Sequence, residues 1–346
     1  VMGRQKISAE RGNFFGTLDD NDRFGREISA PGDLNNDGVI DLAVGADRDD
    51  DGGTDRGAVW ILFLKTDGSV ASFKKISDID GGFGGTLSDG DSFGIAIASI
   101  GDLDGDGVAD IAVGAEGDEG SGTNRGAVWI LFLESDGSVK NWQRISDGSG
   151  GFSGGLEDSD NFGTSLASVG DIDGDGVTDL AVGTPPDNDG GPDRGAVWIL
   201  FLRSDGTVKD QQKISDTVGG FEGTLDNFDY FGESAASPGD LDGNGVPDLV
   251  AGATFHNDGG PDRGAVWVLF LDTDGTVAGE QKISDTEGNF YGTLDDNDFF
   301  GYAAAFPGDL DGNGIADLVV GATGDGDGGP RQGAVWVLFL AEAAEE

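Results

Sequence analysis

The chain has 346 residues, no cysteine and a formal net charge of −46 at pH 7. The absence of cysteine excludes disulfide and thiol chemistry. The acidity argues against nucleic acid and anionic membranes as partners, because both attract basic patches. The longest apolar runs have about eight residues, well short of the ~20 that span a bilayer, so we expect no membrane insertion. No secretory signal is visible at Val1-Met2-Gly3.

A repeat of 69 residues organises the whole chain. Its copies start near residues 5, 74, 143, 212 and 281, and together they fill residues 1–346. This period leaves no room for a second domain, so we predict a single domain at 1–346. Sixty-five glycines between short apolar runs are typical of an all-β protein with many tight turns.

Each repeat begins with a strand of alternating polar and apolar residues, the pattern of a half-exposed outer strand. A Gly- and Asp-rich connection then leads to a Phe-Gly pair and a strand of small residues, such as Ile95–Ile100, which suits a crowded inner position. An acidic loop, a short apolar strand such as Ile111–Ala115 and a variable loop follow. The five predicted outer strands are Gln5–Ser8, Lys74–Ser77, Gln143–Ser146, Gln212–Ser215 and Gln281–Ser284.

The last strand of the repeat reads Gly-Ala-Val-Trp-Ile/Val-Leu-Phe-Leu in all five copies. Because nearly every position is apolar, both faces must be covered, and we assign the repeated Trp and Phe to the core. An Asp-Gly hairpin turn, such as Asp136-Gly137, leads back to the outer strand. Each repeat is therefore a four-stranded antiparallel propeller blade. We predict a five-bladed β-propeller whose ring is closed by pairing Gln5–Ser8 with Val335–Leu340, which removes two exposed edges.

The acidic loop predicts a metal site. In the second repeat Asp102, Asp104, Asp106 and Asp110 occupy loop positions 1, 3, 5 and 9. Their carboxylates repel one another by roughly 1–4 kcal/mol per close pair, so a cation must hold them together. Oxygen-only donors and the turn that glycine permits at position 6 favour Ca²⁺, with the position-7 carbonyl as a further ligand. The loop is not an EF-hand, because a strand follows it and position 12 is Val113.

The motif recurs at the same place in every repeat, and we predict about five Ca²⁺ ions, one per blade. Asparagine lowers the ligand charge in the first, fourth and fifth loops, so we expect weaker binding there than in the second and third. The predicted ligands are Asp33, Asn35, Asp37, Val39 and Asp41; Asp102, Asp104, Asp106, Val108 and Asp110; Asp171, Asp173, Asp175, Val177 and Asp179; Asp240, Asp242, Asn244, Val246 and Asp248; and Asp309, Asp311, Asn313, Ile315 and Asp317.

Three other groups of residues are candidates for a structural or binding role. An arginine precedes the Gly-Ala-Val-Trp strand in four repeats (Arg56, Arg125, Arg194 and Arg263), and we expect a structural ion pair with a repeated acid such as Asp22, Asp91, Asp160 or Asp229. His256 is the only histidine, and alone it makes neither a triad nor a zinc site, so it is assigned no role. Variable positions that suit a ligand site on the loops are Arg23, Tyr230, Tyr291, Phe299 and Tyr302.

The order Phe-Gly, Gly-Asp-Leu-Asp-Gly-Asp-Gly-x-x-Asp and Val-Gly-Ala resembles the FG-GAP repeat of the integrin α-subunit β-propeller. The resemblance implies Ca²⁺ on the lower face of a propeller and a protein or glycan ligand on the upper face. It also implies an extracellular or cell-surface location. We expect a monomer. Integrin propellers have seven blades, whereas this chain supplies five repeats and no inserted adhesion domain.

The interpretation that follows is a non-enzymatic, calcium-binding scaffold for extracellular binding or adhesion. One alternative is an engineered or recently amplified propeller with no specific ligand, because the repeat spacing contains no insertion. A second is a polysaccharide-active enzyme of the lyase or dehydratase type. Against an enzyme, the sequence holds one histidine and no cysteine, and its repeated acids already have metal or structural roles.

Overall fold

The computed structural model describes residues 3–341, which form two compact units. Within the described residues, the first unit comprises residues 3–164 and Leu202–Lys209, and the second comprises Ser165–Phe201 and residues 210–341. Across the described residues there is no helix with the length and apolar character that crossing a membrane requires.

Two four-stranded antiparallel sheets form the first unit, each with its strands in sequence order. The first sheet is β1 (Ile28–Gly32), β2 (Asp41–Ala46), β3 (Ala58–Leu64) and β4 (Val70–Ile76). The second is β5 (Ile97–Gly101), β6 (Asp110–Ala115), β7 (Ala127–Leu133) and β8 (Val139–Ile145).

Three further sheets follow, largely within the second unit. The third sheet is β9 (Ser165–Gly170), β10 (Asp179–Thr184), β11 (Ala196–Leu202) and β12 (Val208–Ser215). The fourth is β13 (Phe231–Gly239), β14 (Asp248–Ala253), β15 (Ala265–Leu271) and β16 (Val277–Ser284). The fifth has three strands, β17 (Phe300–Gly308), β18 (Asp317–Ala322) and β19 (Ala334–Leu338).

These sheets confirm the predicted fold class, an all-β, five-bladed β-propeller, with four strands in four blades and three in the fifth. The single-domain assignment of 1–346 stays a prediction. The apolar third strands of the first four blades are covered as expected, and all seven residues of β7 are buried. In the fifth blade the expectation was wrong, because Val335, Val337 and Phe339 are exposed. Trp129 on β7 packs edge-on against Phe83, with ring centroids 5.0 Å apart, and against Trp142 at 5.1 Å.

In the second to fifth repeats the phenylalanine of the Phe-Gly pair forms a parallel bridge to the repeat before it. Phe93, fully buried, forms a parallel bridge with Gly57, and its amide donates to the Arg56 carbonyl at 3.0 Å. The next amide, of Gly94, turns back and donates to the Gly114 carbonyl of its own blade at 2.9 Å. The motif therefore positions one sheet against the previous one at the point where the inner strand begins.

The predicted pairing of Gln5–Ser8 with Val335–Leu340 is not formed within residues 3–341. The fifth sheet ends at β19, where Val335 is 71% exposed and Phe339 is 61% exposed. The N-terminal segment is held elsewhere, because Ser8 and Arg11 bridge each other and the Val70 amide donates to the Gly12 carbonyl at 2.8 Å. These local bonds hold the segment against the first blade without making it a strand of the fifth.

Candidate metal centres

The acidic loop of the second blade is shaped by hydrogen bonds from its own backbone. One oxygen of Asp102 accepts the amides of Gly105 and Asp106 at 2.8 and 2.9 Å, and the other accepts Gly107 at 2.8 Å. Gly107 has a φ of +93°, a conformation that glycine adopts without strain. The loop therefore curls tightly around its first aspartate.

Asp110, the last acid of the loop, lies at the start of β6 and is fully buried. Its two oxygens accept the Leu103 amide at 2.9 Å and the Leu133 amide at 3.0 Å, so it connects the loop to the end of the third strand. Burial is the main cause that raises its pKa to about 6, and Asp104 adds to the rise, although the two amides oppose it. A nearby dication would favour the ionised carboxylate instead.

The fold brings the acids at loop positions 1, 3 and 9 together in four blades. In each group, one carboxylate oxygen per residue lies within 4.8 Å of the others. Two oxygens that bind one Ca²⁺ at 2.3–2.6 Å are at most about 5 Å apart, so this donor set fits that ion. The four groups are Asp102, Asp104 and Asp110; Asp171, Asp173 and Asp179; Asp240, Asp242 and Asp248; and Asp309, Asp311 and Asp317.

The first loop differs, because the amide of Asn35 stands where the other loops have an acid. Within the part of the chain that the structure describes, Asp33, Asp37 and Asp41 are not gathered into such a group. Asp37 instead accepts a hydrogen bond from the Asn35 side chain at 3.1 Å. A metal ion in this loop stays a prediction, as do the position-7 carbonyl ligands of all five loops.

Loop position 5 has two kinds of partner. In the fourth loop the Asn244 side-chain amide donates to the Leu271 carbonyl at 3.1 Å, and Asn313 bonds Leu340 in the same way at 2.7 Å. In the second loop the side chain of Asp106 has no N–H to donate, and the ammonium of Lys140 contacts its carboxylate instead. The prediction of metal ligands did not include Lys140. A comparison of the repeats could have indicated Lys140, since Lys140 and Lys209 stand where other copies have Ala71 and Ala278.

The repeated arginines form structural ion pairs, but the predicted partners were wrong. Arg56 bonds Asp78 at 2.7 Å and Asp89 at 2.9 Å, both in the connection of the next repeat. Asp91 is not its partner, because that acid is buried and accepts the Ser88 amide at 2.7 Å. The guanidinium thus connects two consecutive repeats. The other three arginines follow the same pattern, Arg125 with Asp147 and Asp158, Arg194 with Asp216 and Asn227, and Arg263 with Asp285 and Asp296.

The variable loops bring some of the predicted ligand-site residues together. Phe255 lies between Tyr230 and Phe299, with ring centroids at 5.1 and 5.2 Å. Tyr291 is 94% exposed, and Tyr302 is 37% exposed. Arg23 is paired with Asp47 at 3.2 Å. Tyr230 and Phe299 therefore belong to one aromatic cluster, whose central ring was not among the predicted residues.

His256 has a role that the sequence analysis missed. It is buried, its Nδ1 lies 2.6 Å from Asp229, and its Nε2 lies 3.3 Å from Asp258, which also binds Lys282 at 2.6 Å. Burial works against the imidazolium, but the hydrogen bond and charge of Asp229, together with Asp258, raise its pKa. The repeat alignment would have indicated this, because acids occupy the same position in the other repeats, at Asp49, Asp118, Asp187 and Asp325.

A rise from about pH 6 to about pH 9 is expected to weaken the fold through His256. A base whose pKa is raised by folding contributes its full stability below its ordinary pKa, and that contribution is lost as pH rises through the folded value. Thermal melts of the natural chain and of His256→Asn at both pH values measure the effect. We expect a larger fall in Tm with pH for the natural chain. Equal falls in the two proteins would contradict the assignment.

The fold and the loops together define the class, a β-propeller with an acidic loop after the first strand of each blade. The model of the FG-GAP repeat family matches residues 24–62, 93–131, 162–200, 231–269 and 300–338. These segments cover more than half of the chain, which therefore belongs to the FG-GAP repeat family.

Curated relatives of the chain are integrin α subunits. Integrin alpha-5 of Xenopus laevis is 34% identical over 166 residues, which cover 46% of this chain and 14% of that protein. Integrin alpha-3 of Cricetulus griseus is 36% identical over 201 residues, 57% of this chain and 17% of the relative. Integrin alpha pat-2 of Caenorhabditis briggsae is 28% identical over 259 residues, 71% and 19% respectively. The chain thus spans less than a fifth of the length of each of these relatives.

Proposed function

We propose that this chain is a non-enzymatic, calcium-binding β-propeller that acts as an integrin-like scaffold for extracellular binding or adhesion. The observation that carries the proposal is the convergence of three carboxylates in each of four loops, with oxygens within 4.8 Å of one another. The carboxylates of such a group repel one another and destabilise the loop unless a cation neutralises them. Their oxygen-only donors match Ca²⁺.

In this proposal the ions are structural. Each one joins the acid at position 1, which shapes the loop, to the acid at position 9, which is bonded to the third strand. Asp102 and Asp110 occupy these positions in the second blade. Binding would therefore stiffen the turn between the first and second strands of a blade. The protein or glycan ligand would be recognised by the variable loops, which we assign to the upper face by analogy with the integrin propeller, in a single domain that covers 1–346.

Removal of calcium is expected to lower the thermal stability of the chain. At a Ca²⁺ concentration about 100-fold above its Kd, each occupied site adds roughly 2.7 kcal/mol to the free energy of unfolding. Thermal melts in EGTA, in excess Ca²⁺ and in excess Mg²⁺ measure this, and we expect Tm to rise with Ca²⁺ more than with Mg²⁺. Calorimetric titration of the EGTA-treated chain should then show four or five sites. A Tm that is the same in EGTA and in millimolar Ca²⁺ would overturn the calcium assignment.

The binding role has a separate test. The chain is presented to arrays of extracellular proteins and of glycans in Ca²⁺ and in EGTA. We expect a ligand whose capture depends on Ca²⁺ and is lost when the Tyr230 and Phe299 loops are substituted. Capture of nothing in either condition would contradict the binding role and favour a propeller without a specific ligand.

A further inference from the structure

The second acidic loop already holds a positive charge from its own chain. Lys140 lies on β8, and its Nζ is 2.8 Å from Oδ2 of Asp104 and in contact with Oδ2 of Asp106. Its side chain is only 19% exposed, so the ammonium is held in place between these two acids. The carboxylates at loop positions 3 and 5 are thus both paired with the ammonium of Lys140.

The repeats show what this lysine replaces. In the fourth blade the equivalent residue is Ala278, and position 5 of that loop is Asn244, whose amide bonds the Leu271 carbonyl. A neutral side chain there is held by the backbone, whereas the charged Asp106 is held by Lys140. With the lysine included, the second loop carries a charge of −3, the same as the three acids of the fourth loop. The additional aspartate, Asp106, therefore does not make the second loop more negative than the fourth.

We propose that Lys140 sets the calcium affinity of the second loop by competing with the ion for Asp104 and Asp106. This inference rests on the proposed function. A dication bound by Asp104 is repelled by an ammonium on the same carboxylate, so the lysine must move or the ion binds more weakly. The second loop then binds Ca²⁺ no more tightly than the fourth, whereas counting acids predicts tighter binding in the second. In return, the lysine keeps the loop neutralised in part when calcium is scarce.

Calorimetric titration of the full chain with Ca²⁺, after EGTA treatment and dialysis, tests this. Lys140→Ala, which copies Ala71 and Ala278, is expected to tighten one site by about 10-fold. Lys74→Ala is the matched control, because it removes the same charge from β4 of the first blade, where the ion pair of Lys74 is with Asp136 of the β7–β8 turn at 3.8 Å. The control should leave every Kd unchanged.

Two further measurements assign the effect. The tightened site should vanish in Lys140→Ala combined with Asp104→Asn, which shows that it belongs to the second loop. In EGTA, Lys140→Ala should lower Tm more than Lys74→Ala does, and Lys140→Gln provides a second variant if the alanine protein folds poorly. An unchanged or weaker Kd in both Lys140 variants, with the other sites still binding, overturns this inference alone. Absence of Ca²⁺ binding in all variants and in the natural chain overturns the proposed function as well.

Discussion

Alanine at position 114 is expected to lower the free energy of unfolding by about 3 kcal/mol or more, although it adds a single methyl group. A Cβ on Gly114 would lie 2.1 Å from the Gly163 carbonyl oxygen, and that atom belongs to backbone of the next repeat. Gly163 has a φ of +98° and is itself close to the Ala127 carbonyl, so it has little freedom to move aside. The two chain segments would have to separate.

The fifth repeat supplies the matched control. Gly321 stands at the same repeat position, but a Cβ there would meet only Ala303, at an ordinary contact distance of 3.5 Å. We expect Gly321→Ala to change the free energy of unfolding by less than about 1 kcal/mol, with a small gain from the less flexible unfolded chain. Urea unfolding of both variants measures the difference. Equal losses in the two proteins would mean that the strand, and not the neighbouring repeat, requires glycine.

Replacing Asp110 with alanine is the second change with a large expected effect. The loss should be about 3–5 kcal/mol, because the Leu103 and Leu133 amides each lose a charged, buried acceptor and each unpaired amide costs roughly 1–3 kcal/mol. This loss is independent of any metal ion, so it should persist in EGTA. Urea unfolding in EGTA measures it directly.

Asp104→Ala is the control for the second prediction. Asp104 is exposed and contacts Lys140, so its removal in EGTA should cost less than about 1 kcal/mol. In Ca²⁺ both variants should lose the stabilisation that the ion adds to this loop. Asp110→Asn, which keeps one acceptor oxygen, should fall between the two. If Asp110→Ala and Asp104→Ala are equally stable in EGTA, the hydrogen bonds to the third strand contribute little.

Several features could be predicted because they depend on residues close together in the chain. The acids at 102, 104 and 110 share one nine-residue loop, so their convergence follows from the spacing and from the glycine turn. The hairpin at Asp136-Gly137 is likewise local, with the Glu134 amide bonded to the Ser138 carbonyl at 2.8 Å. Predictions of partners failed where the contact joins separate repeats, as for Arg56 with Asp78 and Asp89.

The amino-acid sequence by itself determined the 69-residue period, the order of strands within a blade and the acidic loops, since all of these are set by short-range pattern. Only the tertiary structure decided which identical residues have different surroundings. Gly114 and Gly321 occupy the same place in the repeat, yet a Cβ added to Gly114 would lie 2.1 Å from a carbonyl oxygen and one added to Gly321 would have only an ordinary contact at 3.5 Å. Lys140 lies 34 residues from Asp106, and the edge of β19 has no fourth strand within residues 3–341. Such contacts depend on how separate segments pack, and a repeated sequence presents the same residues to neighbours that differ.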